Sequence, residues 1–197
     1  MSTEPPLFDL QTRPERRDAA RNRELLLDAA HRLVDRDGVD AVTMEAVATE
    51  AGVGKGTVFR RFGSRAGLMT ALLDHGEARW QGLVISGPPP LGPGAPALAR
   101  LLAFGESRLE RTILSGDLMI AAAGRHGRSL PAVAFHVAHV RHLLAELDVT
   151  GDLPVLALSL LAPLDVSFVL PQLEAGVTRD RILSAWTDLV RRVVEAG

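Results

Sequence analysis

The sequence predicts an all-α protein in two parts, and three features of its pattern indicate this. Apolar residues recur at the three- and four-residue spacings of helices, and no segment shows the alternation of a half-buried strand. Five prolines and three glycines fall within residues 86–96, which we expect to form a loop between the two parts. Because 47% of the 197 residues are apolar, the chain can bury a substantial core. We expect about nine helices in all.

The N-terminal part begins with residues 1–14, where we expect a flexible arm because three prolines interrupt any periodicity. Helical spacing starts at Arg16 and continues to Gly38, which is suited to end a helix because glycine tolerates a left-handed backbone. Thr43 occupies the N-cap position of the next helix, where its hydroxyl oxygen can accept a hydrogen bond from a free backbone N–H.

Two short helices and one long helix complete the N-terminal part. Their expected ranges are 44–51, 55–62 and 65–85. Gly52 and Gly63 follow the two short helices and are expected to end them. We therefore divide the chain at the second of these glycines, into a domain over 15–63 and a domain over 64–197.

The C-terminal part shows five further helical patterns. Their expected ranges are 97–114, 116–123, 131–147, 153–173 and 178–195. Residues 153–173 are apolar on nearly all sides, and Pro163 is expected to kink that helix. Asp165 interrupts its apolar run before the length of a membrane span is reached. We therefore expect a buried helix there and no contact of the protein with a membrane.

Composition excludes several kinds of function. The chain has no Cys, which removes disulfides, thiolate zinc sites and Cys nucleophiles. Its formal net charge of −2 argues against a general coat of basic charge for binding nucleic acid. No apolar run near the N-terminus has the length of a signal-peptide core, so we expect a cytoplasmic location. Any contact with nucleic acid must come from a local basic patch.

Residues 51–69 form such a patch, since they contain four basic residues and no acidic one. On a helix over its centre, Val58 points inward, whereas Gly56, Thr57 and Arg60 occupy the opposite face. Glycine within a helix costs about 1 kcal/mol relative to alanine, which is sensible where another surface must approach the backbone. Two short helices joined by a glycine-containing turn are typical of a helix-turn-helix, whose second helix enters the DNA major groove. The alternative is a solvated basic surface on an ordinary helical bundle.

The segment from Arg21 to Asp74 resembles the N-terminal DNA-binding region of the TetR family of transcriptional regulators. The resemblance rests on the stop at Gly38, the start at Thr43, the pair Ser64-Arg65 and the run AGVGKGTVFRRF. The rest of the chain is similar to the family in length and helix number alone. The resemblance implies a homodimer with a three-helix DNA-binding head and a variable helical body. It also implies a repressor that leaves its double-stranded operator DNA when a small effector binds.

The resemblance further implies roles for individual residues in DNA binding. Thr43 corresponds to a helix start that contacts phosphate. Phe59 stands in the place of a usual Tyr and lacks the hydroxyl that would bind a phosphate. Arg65 stands in the place of a usual Lys and keeps a positive charge beside a helix N-terminus. The expected DNA-contacting residues are Thr43, Lys55, Gly56, Thr57, Phe59, Arg60, Arg61 and Arg65.

The body is expected to serve dimerisation and effector binding. The helices over 153–173 and 178–195 have broad apolar faces, and they could pair with their symmetry mates in a four-helix bundle. The alternative is that both helices are plain core. Several side chains of the body are candidates for lining an effector pocket, with plain core as the alternative for each. They are Trp80, Phe104, Met119, Phe135, His136, Asp165 and Phe168.

The body contains candidates for two other kinds of site. His136, His139 and His142 recur every three residues, but on a helix they spread around the axis and cannot converge on one metal ion. A buried carboxylate at Asp165 would have to be paired or protonated. No nucleophile–base pattern and no phosphate-binding glycine loop indicates an enzyme, so we expect no catalytic, metal or cofactor site. The alternatives to an effector-released repressor are a constitutive DNA-binding protein and, less favoured, an enzyme built on the body.

Overall fold

The computed structural model describes residues 12–116, 118–119 and 130–196. These residues form helices and connecting segments without a strand, so the all-α prediction is confirmed. The α-helices are α1 (Thr12–Asp37), α2 (Met44–Glu50), α3 (Lys55–Phe62), α4 (Arg65–Ser86), α5 (Ala97–Leu114), α6 (Leu130–Glu146), α7 (Leu153–Leu161), α8 (Val166–Glu174) and α9 (Arg179–Glu195). The arm expected over 1–14 lies largely outside the described residues, and its last three positions belong to α1. Most of the helix expected over 116–123 also lies outside them.

The chain divides into two compact units, Met1–Leu72 and Leu73–Gly197, with the boundary inside α4. The sequence-based division fell earlier because Gly63 interrupts the helical pattern after α3. Burial continues past that glycine, since Leu68 and Leu72 on the first turns of α4 are fully buried. The first unit therefore includes the start of α4.

The first unit is held by a small aliphatic core and by well-formed helix ends. Leu27, Val47 and Val58 come from α1, α2 and α3 and are fully buried. Thr43 caps α2 as predicted, because its Oγ1 accepts a hydrogen bond from the backbone N–H of Ala46 at 3.0 Å. Gly63 ends α3 with a φ of 73°, a conformation that favours glycine. These ends fix the lengths of the two short helices.

The second unit is built around α5, which packs against α6, α8 and α9. Phe104 of α5 is fully buried, as are Leu144 of α6 and Leu164, which precedes α8. Trp186 of α9 is also buried in this cluster. Burying an aliphatic or aromatic side chain of this size stabilises a fold by about 1.5–3 kcal/mol. The core of the body therefore depends on helices that are distant in sequence.

Pro163 breaks the expected 153–173 helix completely, so the prediction of one kinked helix is wrong. A short 3₁₀ helix, Ala162–Leu164, separates α7 from α8, and Asp165 has an extended backbone. Proline lacks the N–H that would continue the α-helical hydrogen bonds, so carbonyls near the break need other donors. The indole N–H of Trp186 donates to the Leu160 carbonyl at 2.7 Å, and the Thr112 hydroxyl donates to the Leu164 carbonyl at 3.0 Å.

Trp186 reaches the break because α5 carries a glycine where the indole lies. A Cβ atom added at Gly105 would collide with the six-membered ring of Trp186. Gly105 is itself buried. The close approach of α9 to α5 therefore requires glycine at this position.

We expect Gly105→Ala to destabilise the protein by about 1–3 kcal/mol, because the methyl group must displace a buried indole. Denaturant unfolding at equilibrium measures this change. Gly82→Ala is the matched control, since Gly82 lies within α4 and a Cβ there meets no atom within 4 Å. The control should stabilise the protein by about 0.5–1 kcal/mol, as alanine does in an exposed helix. Equal effects of the two substitutions would contradict the packing role of Gly105.

Candidate nucleic-acid interface

The α2–α3 pair has the geometry of a helix-turn-helix. The backbone N–H of Val53 donates to the carbonyl of Ala48 at 2.9 Å and closes the turn. Gly52 has a φ of 67°, so the turn requires a left-handed residue there. Ala48 is buried where the two helices cross, and its small side chain allows the crossing. The turn thus fixes α3 against α2.

α3 presents a mixed polar face to solvent. Val58 is fully buried beneath the helix, whereas Gly56, Phe59 and Arg60 are exposed and Thr57 is half-buried. Space around Gly56 is open, with no atom within 4 Å of a Cβ built there. Another surface can therefore approach the α3 backbone at this residue.

The basic residues near α3 differ in how they are held. The Lys55 ammonium pairs with the Glu45 carboxylate at 2.9 Å, and both side chains are exposed. An exposed pair of this kind contributes at most about 1 kcal/mol, so Lys55 can change partners easily. Arg60 has neither a hydrogen bond nor an ion pair with any residue that the structure describes. Its guanidinium is therefore available to an external partner.

Arg65 lies at the first position of α4 and points back towards the turn before α2. Its Nε donates to the Val42 carbonyl at 2.9 Å and its Nη2 donates to the Val39 carbonyl at 3.0 Å. The sequence predicted a phosphate contact for this residue and gave no sign of these acceptors. Arg65, which was expected to contact DNA, therefore also binds two carbonyls within the protein.

A shallow cleft of about 170 Å³ runs between α1 and α3. Asn22 of α1 forms one wall, and Thr57, Arg60 and Arg61 of α3 form the other. Amide, hydroxyl and guanidinium groups are those that proteins use on DNA phosphates and base edges. The sequence analysis missed Asn22, because helical periodicity within α1 does not report which residues neighbour α3.

In the second unit, four of the expected effector-pocket residues form one aromatic cluster. Trp80 and Phe104 have ring centroids 5.1 Å apart, and the His136 ring lies edge-on to Trp80 at 5.3 Å and to Phe135 at 6.0 Å. His139 stacks on Phe135 at 6.1 Å. These rings pack directly against one another.

The other three expected pocket residues lie in different environments. Met119 is half-buried. Phe168 is 56% exposed on α8, so the expectation that it lines an enclosed pocket or the core is wrong for the single chain. Asp165 caps α8, and its Oδ1 accepts hydrogen bonds from the backbone N–H and the hydroxyl of Ser167. Its carboxylate is thus paired by a local structural contact.

Glu77 of α4 was missed by the sequence analysis and lies at the centre of the polar contacts around the aromatic cluster. Its carboxylate oxygens lie 2.7 Å from His136 Nε2, 2.9 Å from Gln81 Nε2 and 3.1 Å from Arg111 Nη2. Burial disfavours the charge of Glu77, but these hydrogen bonds and the charges of His136 and Arg111 prevail and lower its pKa to about 2. Arg111 also donates to the Gly76 carbonyl at 3.0 Å and lies over the Trp80 ring. One carboxylate therefore ties α4 to α5 and α6.

The three histidines of α6 have different partners. His136 pairs with Glu77, and His142 lies 3.2 Å from the carboxylate of Glu146 on the same helix. His139 packs between aromatic rings. Burial, together with the nearby positive charge of Arg100 and smaller effects of the other two histidines, lowers the pKa of His139 to about 4.

Known proteins are similar to this chain in two ways. The family described as "Bacterial regulatory proteins, tetR family" matches residues 26–72. An HTH-type transcriptional regulator of Staphylococcus aureus strain USA300 is 40% identical over 53 residues, which are 27% of this chain and 29% of that relative. The chain thus matches less than a third of the curated relative's length.

Solved structures match most of the chain at low sequence identity. A TetR-family transcriptional regulator from Pectobacterium atrosepticum has a TM-score of 0.66 and 17% identity, and the match covers 89% of this chain and 93% of that one. The multidrug binding protein EbrR, complexed with imidazole, has a TM-score of 0.60 and 24% identity over 88% of this chain and 89% of its own. A TetR-like regulator from Rhodococcus sp. RHA1 has a TM-score of 0.55 and 19% identity, covering 89% and 97%. At these identities the likeness concerns the fold.

The short α2, the closed turn and the exposed face of α3 together define the DNA-binding unit of helix-turn-helix regulators. In the N-terminal region, residues 26–72 match the TetR family of bacterial regulatory proteins, as the resemblance implied. The helical body agrees in fold with the solved TetR-family structure.

We expect the stability of the protein to fall as the pH drops from about 6.5 towards 4, because the unfolded chain protonates His139 before the folded chain does. The loss should be about 1–2 kcal/mol, less than the full pKa shift would give, since the ring is partly solvated. Thermal unfolding across this pH range measures it. His139→Phe should flatten the pH dependence, whereas His142→Gln at an exposed position should leave it. An unchanged pH profile in His139→Phe would contradict this assignment.

Proposed function

We propose that this chain is a homodimeric, sequence-specific DNA-binding transcriptional regulator, a repressor that a small-molecule effector releases from its operator. The observation that carries the proposal is the exposed face of α3, where an open glycine backbone lies beside a hydroxyl and an unengaged guanidinium. A protein that binds operator DNA works in the cytoplasm, and we propose that location.

The face of α3 is suited to the major groove for reasons of shape and charge. An open backbone at Gly56 allows a close approach of the DNA, and Thr57 can donate to or accept from a phosphate or a base. Arg60 carries a planar fork that can bind guanine O6 and N7 together, which contributes roughly 1–3 kcal/mol of discrimination between bases. The exposed Lys55 can exchange its weak pair with Glu45 for a phosphate. Phe59 lacks a hydroxyl and would contribute apolar contact alone.

We expect Gly56→Ala to raise stability and to lower DNA affinity. The methyl group should stabilise α3 by about 0.5–1 kcal/mol, since nothing in the protein obstructs it. The same methyl group should hold the DNA away and weaken binding to a duplex selected from random sequences. Unfolding measurements and DNA titrations on one preparation test both effects. Gly82→Ala is the control and should raise stability without changing DNA affinity, and a Gly56→Ala protein with unchanged affinity would contradict the proposed interface.

Homodimerisation is supported by the apolar surface of α7 and α8. Val155 and Leu158 are 55% and 48% exposed, and Phe168 is also exposed. The segment Leu153–Glu174 is apolar and long enough to cross a membrane by length and composition alone, and its most apolar 18-residue window has a mean hydropathy of 2.1. Only 28% of that window is buried in the single chain. We favour a second copy of the chain over a membrane as the cover for the apolar surface of α7 and α8. A two-fold dimer of a DNA-binding protein can bind two half-sites.

A neighbouring groove extends this surface to α9. It has a volume of about 400 Å³ and is lined by Pro163, Gln172 and Leu189 among others. Leu189 is one of the exposed large apolar residues of the body. Apolar side chains from a symmetry mate would fill the groove and remove Leu189 from water. Both expected dimer helices, 153–173 and 178–195, contribute residues to this groove, which supports the proposal that they meet a second copy together.

We expect Leu158→Glu to convert the dimer to a monomer at micromolar concentration, because two buried charges would face each other across the two-fold axis. Sedimentation equilibrium measures this, and DNA affinity should fall together with the dimer. Leu25→Glu is the matched control for oligomeric state, since Leu25 is an exposed leucine on α1, in the first unit and on neither α7 nor α8. A Leu158→Glu protein that remains dimeric would contradict the interface.

The effector would act on the aromatic cluster of the body. Trp80, Phe104, Phe135 and His136 offer aromatic faces and a polar group within one cluster, which suits a small organic molecule. EbrR, a neighbour in fold, was solved with imidazole bound. Because these rings contact one another, an effector would have to separate them. The alternative, a constitutive DNA-binding protein, differs in that no small molecule lowers its DNA affinity.

A further inference from the structure

The guanidinium of Arg65 joins the start of α4 to the segment before α2. Nε and Nη2, which lie on one edge of the guanidinium, each donate to a different carbonyl, of Val42 and Val39. These carbonyls belong to the first residue of the 3₁₀ helix Val39–Ala41 and to the residue that follows it, and Thr43, the N-cap of α2, comes next. A single side chain therefore fixes the segment from which α2 begins.

The position of Arg65 would be unfavourable without this contact. A positive charge at the first residue of a helix faces the positive end of the helix dipole. The Arg65 side chain turns back from α4 towards two carbonyl oxygens, whose partial negative charges offset this. The nearest carboxylate, Asp40, lies 3.9 Å away and is fully exposed, so that ion pair contributes little. The two carbonyls are the main partners.

An arginine is required for this contact because of its shape. Arg carries several N–H donors in a rigid plane, whereas Lys has one ammonium on a flexible stem. A lysine at position 65 would keep the positive charge but could not bind the two carbonyls with the same fixed geometry. Charge and geometry can therefore be separated by experiment.

We propose that Arg65 is a positioning residue, which holds the N-terminus of α2 against α4 and thereby sets the orientation of the helix-turn-helix. It acts through Thr43 and α2 and need not contact a phosphate itself. This inference rests on the proposed function for its effect on DNA, but its effect on the protein does not depend on DNA. The proposal assigns Arg65 a role that differs from the phosphate contact expected from the sequence.

Hydrogen exchange and DNA binding of full-length Arg65→Lys and Arg65→Ala proteins test the proposal. The protected backbone N–H groups of Val42, Thr43 and Val47 report on the segment, since each donates to a carbonyl within it. We expect their exchange to accelerate about tenfold or more in both variants, the factor for losing one hydrogen bond from a charged donor. Affinity for a selected duplex should fall in both variants, including Arg65→Lys, which keeps the charge. The slope of log affinity against log salt on random DNA should stay unchanged in Arg65→Lys and nearly so in Arg65→Ala.

Arg60→Ala provides the contrast, because Arg60 has no partner among the described residues. It should weaken binding to the selected duplex and leave the exchange of the three amides at wild-type rates. The proposal is overturned if Arg65→Lys matches the wild type in exchange and affinity while Arg65→Ala makes the salt slope shallower by about one unit per monomer. If the wild type binds neither duplex, the proposed function fails, and the exchange rates still decide the role of Arg65.

Discussion

The body of this protein depends on how it satisfies the backbone carbonyls left by Pro163. The proline ends α7 inside an apolar stretch, where unpaired carbonyls would be costly because no water is there to donate hydrogen bonds to them. Trp186 of α9 and Thr112 of α5 supply donors to the Leu160 and Leu164 carbonyls. The indole reaches its acceptor only because α5 carries Gly105 beneath it. The packing of α5, α7 and α9 is thus one coupled solution to the loss of backbone hydrogen bonding.

In the DNA-binding unit, positive charge serves two purposes. Arg65 satisfies carbonyls of the segment before α2, and Lys55 pairs with Glu45 of α2. Arg60 has no partner among the residues that the structure describes, and its exposed guanidinium lies beside the open backbone of Gly56. The acid-free segment around α3 therefore contains basic residues that bind groups within the unit, Lys55 and Arg65, and a basic residue that is available to a ligand, Arg60. Counting basic residues alone would treat these arginines as equivalent.

Local signals in the sequence predicted much of the fold. Helical periodicity gave the bounds of α5, and cap chemistry gave the start of α2 at Thr43 and the end of α3 at Gly63. The contacts that the sequence could not predict join residues far apart in the chain. Arg65 binds carbonyls more than twenty positions earlier, and Glu77 contacts His136, 59 positions later. Periodicity also treats exposed Phe168 as core, because the spacing of an apolar residue does not show whether the folded chain covers it.

α4 contains both Arg65 and Glu77, since one continuous helix runs from Arg65 to Ser86. Near its start, Arg65 is bound to the segment before α2; further along, Glu77 and Trp80 are bound to Arg111, His136 and Ser107 of the body. A ligand can change DNA affinity only if it binds two arrangements of the protein unequally. His136 and Arg111, which bind Glu77 in charge-assisted hydrogen bonds, both contact the Trp80 ring, so a molecule that displaced this ring would disturb residues bound to Glu77. Because Glu77 belongs to α4, these hydrogen bonds would transmit such a displacement to α4 under the proposed function.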